Sequence, residues 1–125
     1  MSSLILIVDD NIDILLNLQV TLEFNDYKVI SAENGKQAIK VLRKLNQLPA
    51  LIISDIMMPE MNGYELFSAV SENPIWNHIP FLFLSAYSPE KKEIVINEIN
   101  EADIIIKPFK DEELLRNISK KIILK

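Results

Sequence analysis

The sequence has no cysteine and only one histidine among its 125 residues. A zinc site built from thiolate or imidazole ligands is therefore excluded. The lack of cysteine also fits a reducing cytoplasm. Glycine is scarce, with two residues, and no segment has the polar, low-complexity composition of a disordered region.

Basic residues are also fewer than acidic residues. The net charge of −5 argues against an electrostatic nucleic-acid binder, which normally carries a basic patch or stripe. The apolar runs are too short to cross a bilayer, and the first four residues lack the basic region of a signal peptide. We therefore predict a cytoplasmic protein that binds neither nucleic acid nor a membrane directly.

About half of the chain is apolar and a quarter is charged, which is typical of a globular domain, and we predict one domain over residues 1–125. Apolar runs alternate with helical stretches. Four of the five runs are nearly continuous, as in parallel strands covered on both faces, whereas the second is more polar and predicts an edge strand. The runs occupy residues 4–8, 27–31, 50–54, 81–84 and 104–106. This alternation predicts a doubly wound parallel α/β sheet.

Two of the intervening helices have clear signals. In the first helix, the periodicity predicts that five apolar residues share one side: Ile12, Leu15, Leu16, Leu18 and Leu22. The last helix begins with residues 111–113, which are all acidic, and ends in a lysine-rich stretch. That charge order complements the helix dipole and supports the prediction of a C-terminal helix.

Acidic residues stand where two of the predicted strands end. Asp9 and Asp10 follow the first apolar run, and Asp55 follows the third. Desolvated carboxylates on neighbouring strand ends repel one another, so a cation between them is expected. An all-oxygen ligand set suits Mg²⁺. With the metal bound, Asp55 can act as a nucleophile towards phosphorus.

Two more polar residues are expected at the same rim, because ligands of such sheets bind beyond the carboxyl ends of the strands. Lys107 can neutralise charge on a transferring phosphoryl group, and the Ser85 hydroxyl can donate a hydrogen bond to it. Taken singly, Asp10 could be a helix cap, Ser85 a turn residue and Lys107 a surface lysine. Their joint placement favours a phosphoryl site.

The chain resembles the receiver domain of two-component response regulators along essentially its whole length. The resemblance rests on four motifs, each at a predicted strand end: Val8-Asp9-Asp10, residues 54–63 (SDIMMPEMNG), Leu84-Ser85-Ala86 and Lys107-Pro108-Phe109. It implies a CheY-like, flavodoxin-like fold with five parallel strands in the order 2-1-3-4-5, flanked by five helices.

The resemblance also implies roles. Asp55 is the expected phosphoacceptor, and Asp10, Asp55 and the backbone carbonyl of Met57 are expected to bind Mg²⁺ directly, with Asp9 acting through water. Ser85 and Lys107 are expected to contact the phosphoryl group. The Lys107–Pro108 bond is predicted to be cis.

The implied function is a phosphorylation-dependent signalling switch rather than a turnover enzyme, although it would catalyse its own phosphorylation and dephosphorylation. Its expected partners are a sensor histidine kinase or histidine phosphotransfer protein, and a downstream effector protein. A homodimer through the face of the predicted fourth helix, fifth strand and fifth helix is a further possibility that the resemblance raises.

The sequence departs from the family pattern at one functional position. Ile104 stands where the family often has an aromatic residue that reports phosphorylation, so either a modified switch or simple strand packing is expected there. Two positions that tune phosphoryl lifetime in the family carry Met57 and Tyr87. Neither side chain can orient an attacking water, which predicts slow spontaneous dephosphorylation.

Three alternatives remain open from the sequence. A magnesium-dependent aspartyl phosphatase would place its two acids two residues apart, whereas Asp9 and Asp10 are adjacent. A pseudo-receiver, acting only as an interaction module, usually lacks one of the site residues. A flavin-binding module of the flavodoxin type would need a loop rich in Ser, Thr and Gly after the first strand, where this chain has Asp9-Asp10-Asn11.

Overall fold

The computed structural model describes residues 3–86 and 103–123. Within these ranges the strands are β1 (Leu4–Val8), β2 (Lys28–Ala32), β3 (Leu51–Asp55), β4 (Phe81–Ala86) and β5 (Ile104–Lys107). The helices are α1 (Ile12–Phe24), α2 (Gly35–Lys44), α3 (Gly63–Glu72) and α4 (Asp111–Ile123). The C-terminal helix of the prediction is thus α4. The helix predicted between β4 and β5 falls within residues 87–102, outside the described residues.

All five strands are parallel and lie in the order β2-β1-β3-β4-β5, which confirms the predicted topology. The polar second strand lies at an edge, as expected. Val8 of β1 is opposite Ser54 of β3, and Asp55 of β3 is opposite Leu84 of β4. The carboxyl ends of the central strands therefore meet along one rim of the sheet.

Successive strand residues point to opposite faces of the sheet and build two cores. One face packs against α2 and α3 and includes Leu6, Ile52 and Phe83. The other packs against α1 and α4 and includes Ile5, Ile7 and Ile53. The central strands are buried on both sides, which explains why their sequences are continuously apolar.

The prediction for α1 was wrong for two of its five residues. Leu15, Leu18 and Leu22 are buried, but Ile12 and Leu16 are 55% and 54% exposed. The helix carries apolar side chains around most of its circumference. Periodicity alone therefore could not define which of them face the sheet.

Each of the three helices that follow β1, β2 and β3 begins with an asparagine N-cap. Asn11, Asn34 and Asn62 accept hydrogen bonds from backbone N–H groups in the first turns of α1, α2 and α3. Glu65 also accepts from the backbone of Asn62, which completes a capping box on α3. None of the described helices has the length and apolar composition needed to cross a lipid bilayer.

Candidate functional site

Three carboxylates converge at the carboxyl ends of β1 and β3. One oxygen each from Asp9, Asp10 and Asp55 lies within 4.8 Å of the others. Asp9 is fully buried and Asp55 is 8% exposed, whereas Asp10 is exposed. The cluster therefore has two buried members and one side open to solvent.

Lys107, the last residue of β5, lies between two of these acids. Its Nζ is 3.3 Å from Oδ2 of Asp9 and 3.5 Å from Oδ1 of Asp55. Asp9 also accepts a hydrogen bond of 2.9 Å from the backbone N–H of Asn11. Four residues from three separate segments thus form one charged site, as the positions of the strand ends predicted.

The positive charge of Lys107 does not fully offset the cost of burying the carboxylates of Asp9 and Asp55. Burial raises the pKa of Asp9 above its ordinary value, although Lys107 and the Asn11 N–H act in the opposite direction. Burial and then the neighbouring charge of Asp9 raise the pKa of Asp55, again against Lys107. One lysine is therefore insufficient to neutralise the group, and a further cation would relieve the repulsion.

The donor set fits Mg²⁺. Its three carboxylates are hard oxygen ligands, and magnesium is held in proteins by one or two carboxylates together with other oxygens. The exposed side at Asp10 leaves room for the water ligands that magnesium keeps.

The structure also describes three other residues that the sequence analysis singled out. Ser85 is 9% exposed and lies near the end of β4, one residue beyond Leu84, the partner of Asp55 in the sheet. Met57 lies two residues after Asp55, with its side chain 51% exposed. Ile104, at the start of β5, is partly buried against the α2–α3 core. Tyr87 lies outside the described residues.

The loop after β3 is held tightly against the site. The Ile56 N–H donates to the Leu84 carbonyl at 3.1 Å, and the Gly63 N–H donates to the Ile56 carbonyl at 2.9 Å. A Cβ added at Gly63 would overlap the backbone oxygen of Asp55. Only glycine therefore allows α3 to begin so close to the Asp55 backbone.

The connection after β5 is also fixed in the structure. The Lys107–Pro108 peptide bond is cis, which confirms the prediction.

Beside this connection runs a groove of about 400 Å³ between α1 and the start of α4. It is lined by Ile14, Asn17, Leu18, Thr21, Lys107, Pro108, Phe109, Asp111 and Leu114. Sequence reasoning missed this groove, since it depends on how α1 packs beside a segment far away in the chain.

Comparison with known proteins supports the resemblance seen in the motifs. The response regulator receiver domain family matches residues 5–119. The response regulator SaeR of Staphylococcus aureus is 36% identical over 115 residues, which cover 92% of this chain and 48% of SaeR. The chain thus spans about half the length of the curated relatives it matches.

Solved structures agree in fold. The signal receiver domain of a signal transduction histidine kinase from Syntrophus aciditrophicus matches with a TM-score of 0.89 and 32% identity, over 98% of this chain and 91% of that chain. The chemotaxis response regulator CheY4 of Vibrio cholerae matches with a TM-score of 0.82 and 32% identity, over 97% and 99%. With the family match, the SaeR similarity and the four motifs at the strand ends, the chain belongs to the response regulator receiver domains of two-component systems.

Proposed function

We propose that Asp55 accepts a phosphoryl group and that this modification switches the domain between two signalling states. The observation that carries the proposal is the carboxylate cluster at the ends of β1 and β3, with Lys107 between Asp9 and Asp55. The site offers a nucleophile, a fixed cation and an oxygen ligand set in one place. We assign Asp10, Asp55 and the Met57 carbonyl as direct Mg²⁺ ligands and Asp9 as an indirect one.

The transfer follows from these positions. When bound, Mg²⁺ supplies positive charge that lowers the repulsion between Asp55 and the incoming phosphoryl oxygens. An Asp55 oxygen attacks phosphorus, forming an acyl phosphate while the bond from phosphorus to the donor breaks and its electron pair leaves with the donor. Lys107 then pairs with a phosphoryl oxygen, and the Ser85 hydroxyl donates to another. The domain thereby catalyses its own modification.

Response regulators act between a histidine kinase and a downstream effector, and we assign this chain the same place. The donor is a sensor histidine kinase or a histidine phosphotransfer protein in the cytoplasm. The groove between α1 and the start of α4 has Lys107 in its wall, so it gives a donor a surface directly beside the site. Family membership gives no support to the phosphatase or flavin alternatives.

Intact-mass spectrometry after incubation with acetyl phosphate tests this proposal. We expect one phosphoryl group per chain with Mg²⁺, none with a chelator, and none in Asp55→Asn. Asp13→Asn is the matched control, because Asp13 is an exposed acid in the first turn of α1 that lies outside the cluster. No adduct from acetyl phosphate or from any histidine kinase would indicate a pseudo-receiver.

A further inference from the structure

Ser54 is a buried polar residue to which the proposed phosphoryl transfer gives no role. Four polar side chains are buried among the residues that the structure describes, and the other three, Asp9, Asp55 and Ser85, belong to the proposed site. Ser54 is fully buried directly before Asp55 in β3. A hydroxyl in such a place costs free energy unless it has a hydrogen-bond partner. The partner of this hydroxyl therefore indicates its purpose.

The surroundings of Ser54 are apolar. It is paired in the sheet with Val8 of β1 and with Phe83 of β4, and both belong to the core that packs against α2 and α3. Ile52, two residues earlier on the same face of β3, belongs to this core as well. An apolar residue would suit the position better, so packing does not explain the hydroxyl.

The Ser54 hydroxyl donates to the backbone carbonyl of Asp55 at 2.9 Å. The pairing of β1 with β3 ends at Val8 and Ser54, one residue before Asp55. Towards β4, the Ile56 N–H donates to the Leu84 carbonyl at 3.1 Å. The C=O of Asp55 and the N–H of Ile56 belong to one planar peptide unit and point in opposite directions, so the Asp55 carbonyl points away from β4. The hydroxyl thus provides a donor on the side where the ladder with β1 has ended.

The same peptide unit acts on the carboxylate of Asp55. Burial raises the pKa of Asp55, and the neighbouring N–H of Ile56 acts against that rise. This N–H is therefore close enough to the carboxylate to favour its charged form. A rotation of the Asp55–Ile56 peptide unit would turn the N–H away and displace the chain towards Met57, whose carbonyl we assign to Mg²⁺.

The Ser54 side chain does not itself face the phosphoryl site. Successive residues of a strand point to opposite faces of the sheet, so the side chains of Ser54 and Asp55 lie on opposite faces. The hydroxyl acts on the backbone of Asp55 from the side of the α2–α3 core. Its influence on the carboxylate passes through the peptide unit that it holds.

We propose that Ser54 is a positioning residue for phosphoryl transfer to Asp55. Its hydroxyl holds the Asp55–Ile56 peptide unit in one orientation, which keeps the carboxylate aligned for attack on phosphorus and the Met57 carbonyl aligned for the metal. The inference rests on the proposed role of Asp55 as the phosphoacceptor and adds the residue that orients it. Small displacements of a reacting group slow a reaction strongly, so a single hydrogen bond at this place affects the rate.

The rate of phosphoryl uptake by a series of Ser54 variants tests this inference. The intact mass is followed over time at saturating acetyl phosphate and Mg²⁺, so that the rate reports the transfer step and not the binding of either ligand. We expect Ser54→Ala to take up phosphoryl about tenfold more slowly than the wild type. Ser54→Thr keeps a hydroxyl donor and should recover most of the rate. Ser54→Cys, whose thiol is a weak donor of similar size, should lie between these two variants.

Ile52→Val is the matched control. It shortens a fully buried side chain on the same strand and the same face, and it removes no hydrogen bond. We expect a lower Tm with a wild-type rate of uptake, because the change leaves a small cavity in the core. Ser54→Ala should instead lose rate out of proportion to any change in Tm, since alanine is well suited to a buried position.

Amide hydrogen exchange measured by NMR gives a second readout. If the hydroxyl fixes the peptide unit, the Ile56 N–H exchanges faster in Ser54→Ala than in the wild type, because its local opening costs less free energy. The same amide should exchange at the wild-type rate in Ile52→Val. A role of Ser54 in packing alone would not produce this difference.

Three results would overturn the inference. They are a wild-type rate of uptake in Ser54→Ala, an equal loss of rate in Ile52→Val, and a folded Ser54→Thr that is as slow as Ser54→Ala. Each of them is read against a wild type that takes up one phosphoryl group. A wild type without an adduct would instead contradict the role of Asp55 as the acceptor, and the inference about Ser54 would fall with it.

Discussion

Asp55 is a buried carboxylate next to another buried carboxylate, and that placement costs stability. Its pKa is raised by burial and by the charge of Asp9. The native state therefore holds a proton more tightly than the unfolded chain does. Without metal, the contribution of Asp55 to the free energy of unfolding falls as the pH rises from its ordinary pKa through the raised native one.

Replacing Asp55 by Asn removes this cost while keeping the shape of the side chain. At pH 7 with a chelator present, we expect the free energy of unfolding of Asp55→Asn to rise by about 1 kcal/mol, equivalent to about 4 °C in Tm. Lys107 keeps Asp9 as its partner in the variant. Thermal melting followed by circular dichroism measures the change, and Asp13→Asn serves as the exposed control. A lower Tm for Asp55→Asn would show that its pairing with Lys107 outweighs its burial.

Met57 controls the lifetime of the phosphoryl group in our interpretation. Its side chain is half exposed near Asp55 and has no group that can orient an attacking water. We expect slow spontaneous loss of phosphoryl from the wild type and a several-fold faster loss from Met57→Asn. The intact mass, followed over time after removal of the donor, gives both rates. Ile75→Asn is the control, and rapid loss from the wild type would contradict the prediction.

At the scale of elements, the segment from β3 to α3 sets the position of Asp55. The Gly63 N–H donates to the Ile56 carbonyl, and the Asn62–Glu65 capping box fixes where α3 begins. A side chain at Gly63 has no room beside the Asp55 backbone. The geometry of Asp55 therefore depends on a glycine eight residues further along the chain.

Gly63→Ala should displace this segment. We expect a loss of about 2–3 kcal/mol in the free energy of unfolding, because the Cβ overlaps backbone rather than a movable side chain. We also expect slower phosphoryl uptake from acetyl phosphate. Urea denaturation and timed mass spectra measure the two effects. Asn62→Ala is the comparison variant, with an expected loss of about 1 kcal/mol from the cap alone. Equal losses for the two variants would contradict the steric argument.

The strands and helices also show which features could be predicted from the sequence and which could not. The continuous apolar runs of β1 and β3 identified buried parallel strands, and parallel strands bring their carboxyl ends to one rim, so the meeting of Asp9, Asp55 and Lys107 could be predicted. The orientation of α1 could not, because Ile12 and Leu16 are as apolar as the residues that face the sheet. The distances from Lys107 to the two acids depend on side-chain conformations, which no sequence pattern specifies.

At the scale of the whole molecule, the Mg²⁺ site that we propose at the carboxylate cluster would couple metal binding to folding. A ligand that binds only the native state stabilises it by about 2.7 kcal/mol at 100 times its Kd. We expect saturating Mg²⁺ to raise the Tm of the wild type and a chelator to reverse the rise. Asp55→Asn should show a much smaller response. An equal response in both proteins would place the metal away from Asp55.

The same coupling depends on pH. Asp55 must be deprotonated to bind the metal directly, and Asp9 must be deprotonated to hold it through water. Their raised pKa values mean that protons compete for them at higher pH than for ordinary acids. We therefore expect the affinity for Mg²⁺ to fall as the pH is lowered towards these values. Isothermal titration calorimetry at several pH values measures it. If the affinity for Mg²⁺ stays constant down to the pH range in which exposed acids titrate, the raised pKa values of Asp9 and Asp55 are contradicted.

The ion pair from Lys107 to Asp9 joins residues that are 98 positions apart in the chain. During synthesis, a nascent chain that has emerged only as far as β4 already carries all three acids but still lacks their lysine. Its acidic residues therefore stay mutually repulsive until β5 leaves the ribosome and pairs with β4. The ion pairs that Lys107 makes with Asp9 and Asp55 can therefore form only after β5 has been synthesised.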